Sequence, residues 1–154
     1  MATYLVGTVH MDLKGPERLR KFLGFVRPSS ICHEGPKEAI IMVSEKRRYG
    51  LETVLKGLNQ PDPVLRLLAL LEYAYGYEIW VPHHHLQEME AKEITEDRDK
   101  PIEQKIREIA ANDAEGTTVA ICGAGHIFSE YHNLYERLKS PSVCRIRLPE
   151  VDKF

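Results

Sequence analysis

The chain has 154 residues, 43% hydrophobic and 29% charged, which suits one domain with a substantial core. A formal charge of −2 gives no basic surface of the kind nucleic acid requires. The densest basic cluster, Lys46-Arg47-Arg48, reads as a solvated helix face. No window approaches the roughly 20 apolar residues of a membrane span, and no signal-peptide pattern opens the chain, so a cytoplasmic protein without membrane contact is expected.

Thr3 to Val9 is a short, mostly apolar run read as a strand. Gly15-Pro16-Glu17 then opens a helix, with Leu19, Phe22, Leu23 and Val26 as its apolar face and Arg27-Pro28 as its stop. Ser29 to His33 is a second strand, closed by Glu34-Gly35-Pro36. Lys37 to about Leu58 has a helical pattern broken at Gly50, an insertion between strands two and three. Asp62-Pro63 starts another helix, whose leucine-rich run up to Tyr75 is apolar on most sides and is expected to be buried.

Tyr77 to Val81 reads as a third strand, closed by Pro82 and the run His83-His84-His85. Leu86 to Glu96 is charged and partly helical in pattern. Pro101 to Ala111 is amphipathic, with Ile102, Ile106, Ile109 and Ala110 inward. Thr117 to Cys122 is strand four, a helix runs from Gly125 to about Leu138, and Ser142 to Leu148 is the last strand. The alternation predicts a single α/β domain over 1–154, with a mostly parallel sheet of about five strands flanked by helices. The cysteines, Cys32, Cys122 and Cys144, lie in apolar runs without metal-type spacing and read as reduced and buried.

Four of these strands end in chemically active groups: His10, His33-Glu34, His83 to His85, and His126. In a parallel sheet such ends share one edge, where ligands of open α/β proteins bind. Two of them repeat a figure: "GTVH" at Gly7–His10 and "GAGH" at Gly123–His126, each after an apolar strand. Glycine permits close backbone approach there, and an imidazole can ligate a metal or move a proton. The Gly-x-Gly before His126 lacks the third glycine of a dinucleotide fingerprint, and the chain has no phosphate-loop motif. Glu34 adds a carboxylate, so His10, Glu34 and His126 form a set that suits a divalent ion or metal-free acid–base catalysis alike. Three consecutive histidines spread over different faces, so at most one or two of His83–His85 reach a common site. Arg98, in "EDRD", could bind an anionic group or pair with its acidic neighbours.

Taken in order, "LVGTVH", "RPSSICHEG", "EDRD" and "VAICGAGH" resemble the motifs of the TraB/Tiki/GumN family, and more distantly those of erythromycin esterase-like and ChaN-like proteins. The resemblance roughly spans the chain except between Lys37 and Tyr77. It implies that His10 and His126 are the motif histidines, Glu34 the motif glutamate and Arg98 the motif arginine. It further implies an α/β sheet enclosed by helices and a metal-dependent hydrolase of peptide or ester bonds. In that reading His10, Glu34 and His126 hold a divalent ion or orient water, and Arg98 stabilises the oxyanion. The partner is then a small-molecule or peptide substrate. A homodimer through the last strand's edge is compatible with this pattern. The alternative is a binding or regulatory module that holds haem, a peptide or a small anion at the same edge without turnover.

Overall fold

Ala2–Thr8 forms β1, Ser30–His33 β2, Lys92–Ile94 β3, Thr117–Gly123 β4 and Val143–Arg147 β5. The structure is a computed structural model and describes residues 2–33, 56–89, 92–94, 102–112, 116–130 and 133–153. Among these residues the strands form one sheet in the order β3-β2-β4-β1-β5, and every pairing is parallel. The expected α/β class with a parallel sheet is therefore what the chain adopts.

The central strands are apolar almost without interruption because both faces of the sheet are covered. Val6, Ile31, Val119 and Ile121 point to one face, where they pack with α1 (Gly15–Val26), α3 (Tyr77–Met89) and the C-terminal 3-10 helix Leu148–Lys153. Leu5, Cys32, Ala120 and Cys122 point to the other. There they meet Ile106 and Ile109 of α4 (Ile102–Asn112), Ile127 of α5 (Ala124–Phe128), and Leu134 and Leu138 of α6 (Leu134–Leu138). Each fully buried aliphatic side chain contributes about 1.5–3 kcal/mol through its removal from water. These two cores hold the sheet.

α1 ends as its sequence suggests. Arg27 takes a left-handed conformation at φ 47° and donates its N–H to the Leu23 carbonyl at 2.8 Å, just before Pro28. α2 (Pro63–Ala74) begins with Asp62 accepting from Val64 N and Leu65 N, and Pro63 needs no partner at that position.

Several expectations are corrected. The stretch expected as strand three, Tyr77 to Val81, is the start of α3. Tyr77, Trp80 and Val81 are among its buried residues, and their spacing is that of a helix face. Pro82 sits inside this helix rather than closing a strand. α2 is not the buried helix its composition suggests: only Ala69 and Ala74 are buried, while Val64, Leu65, Leu67 and Leu68 are exposed. The single helix expected up to Leu138 is two short ones. Asn133 starts the second by accepting from Tyr135 N at 2.9 Å while its amide donates to the Ser129 carbonyl. Cys32 and Cys122 are buried, but Cys144, on edge strand β5, is exposed. The helical reading of Lys37 to Leu58 lies outside the described residues except for 56–58, which are helical. Among the described residues, no helix is long and apolar enough to cross a membrane.

Candidate functional site

β1 and β4 lie side by side, and the chain leaves them toward opposite faces of the sheet. β1 leads to α1 on one face, and β4 leads directly into α5 on the other. Such a divergence opens a crevice outside the carboxyl ends of the strands. The two Gly-x-x-His motifs occupy this crevice one residue out of step: Gly7 is level with Cys122, and Thr8 with Gly123.

The motifs interlock through their glycines. A Cβ on Gly7 would lie 2.8 Å from Phe128 Cε2 and 3.1 Å from Ala124 Cα, so only glycine admits the helix that carries His126. A Cβ on Gly123 would lie 3.5 Å from His126 Cδ2 and 3.7 Å from His10 Nε2. Both imidazoles therefore overhang one point of backbone. Thr8 adds a buried cross-strand bond, its hydroxyl donating to the Cys122 carbonyl at 3.1 Å.

His10 has a partner that sequence reading missed. Its Nδ1 lies 2.8 Å from Glu78 Oε1, in the first turn of α3. A carboxylate only accepts, so Nδ1 donates, and in the neutral ring the lone pair is on Nε2, which faces Gly123. The Glu78 side chain is 13% exposed and that of His10 is 78% exposed. The carboxylate is thus sheltered while the imidazole stays open to solvent. The sequence signal was present as an acidic residue in the first turn of a helix, but it required Tyr77 to Val81 to be read as helix.

The loop that carries His10 is tied down on several sides. The Tyr77 hydroxyl donates to the Val9 carbonyl at 3.2 Å, and the Tyr77 ring lies against Gly15, where a Cβ would come within 2.4 Å of Cζ. Burial, with the Glu78 and Asp12 charges nearby, pushes the Tyr77 hydroxyl well above its usual range. Arg18 donates to Asp12 Oδ2 from one arm and to Asp152 Oδ2 from the other, each at 2.6 Å. Met11, directly after His10, is held at φ 63°, a strained conformation for a residue with a side chain. Val9, Met11 and Leu13 are exposed apolar residues at the rim.

Of the expected site residues, His10 and His126 are brought together. Glu34 and Arg98 lie outside the described residues. His33 ends β2 fully buried, level with Ile121 and below the mouth of the crevice. His83–His85 were expected at a strand end and stand on α3 instead, following Glu78 by one to two turns. His85 is buried and His84 packs edge-on against Trp80 at 5.8 Å. His10 Nε2 and the His126 ring are suitable donors for a divalent ion, and a carboxylate behind one of them is the usual outer support of such a ligand. Among the described residues no three potential ligands gather, and the third expected ligand, Glu34, lies outside them. A recess of about 270 Å³ lies toward the amino end of the strands, lined by Thr3, Arg107, Arg137, Lys139 and Ser142. Both of its arginines are paired with Glu103, and its cations have no part in the histidine crevice. Comparison with family models, curated proteins and solved structures gives no match for this chain.

Proposed function

We propose that the crevice between β1 and β4 hydrolyses an ester or peptide bond, with His10 as general base. The observation that carries this reading is the Glu78–His10 pair, whose free Nε2 faces Gly123 beside His126. An imidazole whose far nitrogen is held by a carboxylate is oriented, and its cation is stabilised as it forms. In the reaction, Nε2 of His10 takes a proton from water. The hydroxide attacks the acyl carbon, whose C=O electrons move to oxygen. As the tetrahedral species collapses, His126 delivers a proton to the leaving oxygen or nitrogen. His10 then passes its proton back to His126, which restores both rings.

Glycine at 123 keeps the floor open for an acyl group between the rings, and Val9, Met11 and Leu13 supply an apolar rim. Arg98, at the arginine position of the TraB/Tiki/GumN resemblance, is the proposed oxyanion partner. If a divalent ion takes part, His10, His126 and Glu34 would hold it and it would supply acidified water. The test is hydrolysis of a panel of aryl esters and short peptides by the chain, by His10→Ala and by His126→Ala, with and without chelator. Both variants should fold and lose at least about a hundredfold in kcat/KM. Full activity in both would overturn the reading, and full activity after metal stripping would remove the ion from it.

A further inference from the structure

β5 is an edge strand, and two of its outward side chains are arginines two residues apart, Arg145 and Arg147. Side chains two apart on a strand share a face. Here they meet the aromatic rings that cover that face. Arg145 lies 4.6 Å over Tyr135 and 5.4 Å over Phe128, and Arg147 lies 4.5 Å over Phe128. Both residues are exposed. Among the described residues neither guanidinium has a hydrogen bond or ion pair, whereas Arg18, Arg107 and Arg137 each have a carboxylate.

Among the described residues, two like charges stand side by side with no counter-charge, each over an aromatic ring. Stacking uses the face of a guanidinium and leaves its in-plane N–H donors directed outward, in the fork that matches an oxyanion. The aromatic support also restricts the two side chains, so less rotamer freedom is lost when an anion binds.

The position ties this pair to the histidine crevice. Arg147 is the last residue of β5 and is level with Gly7. It therefore stands at the same carboxyl edge of the sheet as His10. Its supporting ring, Phe128, fills the space against Gly7 and belongs to the short helix that carries His126.

We propose that Arg145 and Arg147 bind a phosphate or carboxylate group of the substrate and hold it one strand away from the reacting bond. The substrate is then an anionic ester or a peptide with a free carboxylate. This deepens the hydrolase reading and rests on it for the reaction, but the binding step is measurable without turnover.

The experiment titrates the full chain with inorganic phosphate and, separately, with succinate, following the Arg Nε–H and Tyr135 ring resonances. It compares Arg147→Gln, the double variant R145Q/R147Q and the charge-retaining R145K/R147K. A second arm compares hydrolysis of an aryl acetate with that of the aryl hemisuccinate. Expected are saturable shifts at Arg145, Arg147 and Tyr135, weakened about tenfold or more in R145Q/R147Q and only partly restored in R145K/R147K. His10→Ala should bind as wild type. The hemisuccinate should be preferred over the acetate, and R145Q/R147Q should abolish that preference while sparing acetate hydrolysis. Stronger response to phosphate than to succinate assigns a phosphate substrate, and the reverse assigns a carboxylate. Equal binding of both anions by wild type and R145Q/R147Q would overturn the proposal even if esters are hydrolysed. Binding that depends on these arginines, with no turnover of either ester, would leave the anion site standing and remove the hydrolase reading.

Discussion

Gly7 and Phe128 occupy one space: the hydrogen of the glycine is what allows the aromatic ring to lie against β1. The glycine of one Gly-x-x-His motif thus accommodates the helix that carries the histidine of the other. An alanine at position 7 would push against Phe128 Cε2 at 2.8 Å and against the backbone of Ala124 at 3.1 Å. The ring can turn, but backbone in contact with β1 cannot yield without moving the helix. Gly7→Ala is therefore expected to destabilise the fold by about 1–3 kcal/mol, as overpacking in a filled core does. A denaturant midpoint unchanged from wild type would contradict the interlock.

Glu78→Gln separates positioning from chemistry. Glutamine keeps an oxygen that can accept from His10 Nδ1, but it lacks the charge that stabilises the imidazolium. The expected result is a kcat lower by about tenfold to a hundredfold with KM nearly unchanged. Stability should move by less than about 0.5 kcal/mol, because His10, its partner, is open to solvent and glutamine keeps the hydrogen bond. A loss confined to KM would mean that Glu78 binds substrate instead.

Tyr77 links the same helix to the loop before His10. Its hydroxyl is held protonated by burial and by the Glu78 and Asp12 carboxylates, so its ionisation lies above the usual tyrosine range. The folded state thus binds a proton that the unfolded chain releases near pH 10. Stability from this group is full below about pH 10 and is lost as the pH rises further. In an alkaline absorbance titration, one of the seven tyrosines should ionise only when the protein unfolds. Tyr77→Phe should remove that late step and cost about 1 kcal/mol through the lost hydrogen bond, the Val9 carbonyl still accepting from Asp12 N. Ionisation of all tyrosines in one step, with the fold intact, would refute this placement.

Four strands of the sheet and the two histidines were legible because their signals are local, whereas β3, Lys92–Ile94, lies in a stretch whose charged pattern reads as partly helical. β1 and β4 are continuous apolar runs ended by glycine, and α4 shows its inward isoleucines at helical spacing. α3 was not legible. "YEIWV" offers apolar residues at both alternate and helical spacing, and five residues are too few to separate the two periods. Only the packing of Tyr77 against Gly15, and of Trp80 and Val81 within the same core, selects helix. Glu78 was hidden by the same ambiguity, since its partner is 68 residues away and no pattern joins them. The arginines of β5 were likewise invisible as a pair until the rings of α5 and α6 were placed beneath them.

Asp152 predicts the acid behaviour. Its hydrogen bonds from Arg18 hold its carboxyl below the usual range, and Arg18 reaches Asp12 in the His10 loop with its other arm. A lowered folded value means that the unfolded chain binds more protons, so this contribution is present above about pH 4 and is lost as pH falls further. Asp152→Asn should lack that contribution at neutral pH, a small loss for a surface group, and converge with wild type as the pH falls below about 4, so its acid limb is flatter. An unchanged acid limb would show that the bridge is not maintained in solution.

Gly123→Ala tests whether the space between the histidines matters for function. The added Cβ would sit 3.5 Å from His126 and 3.7 Å from His10, which is ordinary contact, so the fold should accept it. Position 123 also does not need a left-handed backbone, as its φ is −55°. Stability should therefore change by less than about 1 kcal/mol, unlike Gly7→Ala. Yet the methyl group would fill the floor over which both imidazoles project, where the proposed hydrolysis places the acyl group. A displacement of about 1 Å there is enough to cost about a hundredfold in rate. The expected outcome is a normally folded protein whose hydrolytic rate falls by about that factor, with phosphate still shifting the Arg147 signal. Retained hydrolysis in a folded Gly123→Ala protein would place the reacting bond elsewhere on the sheet.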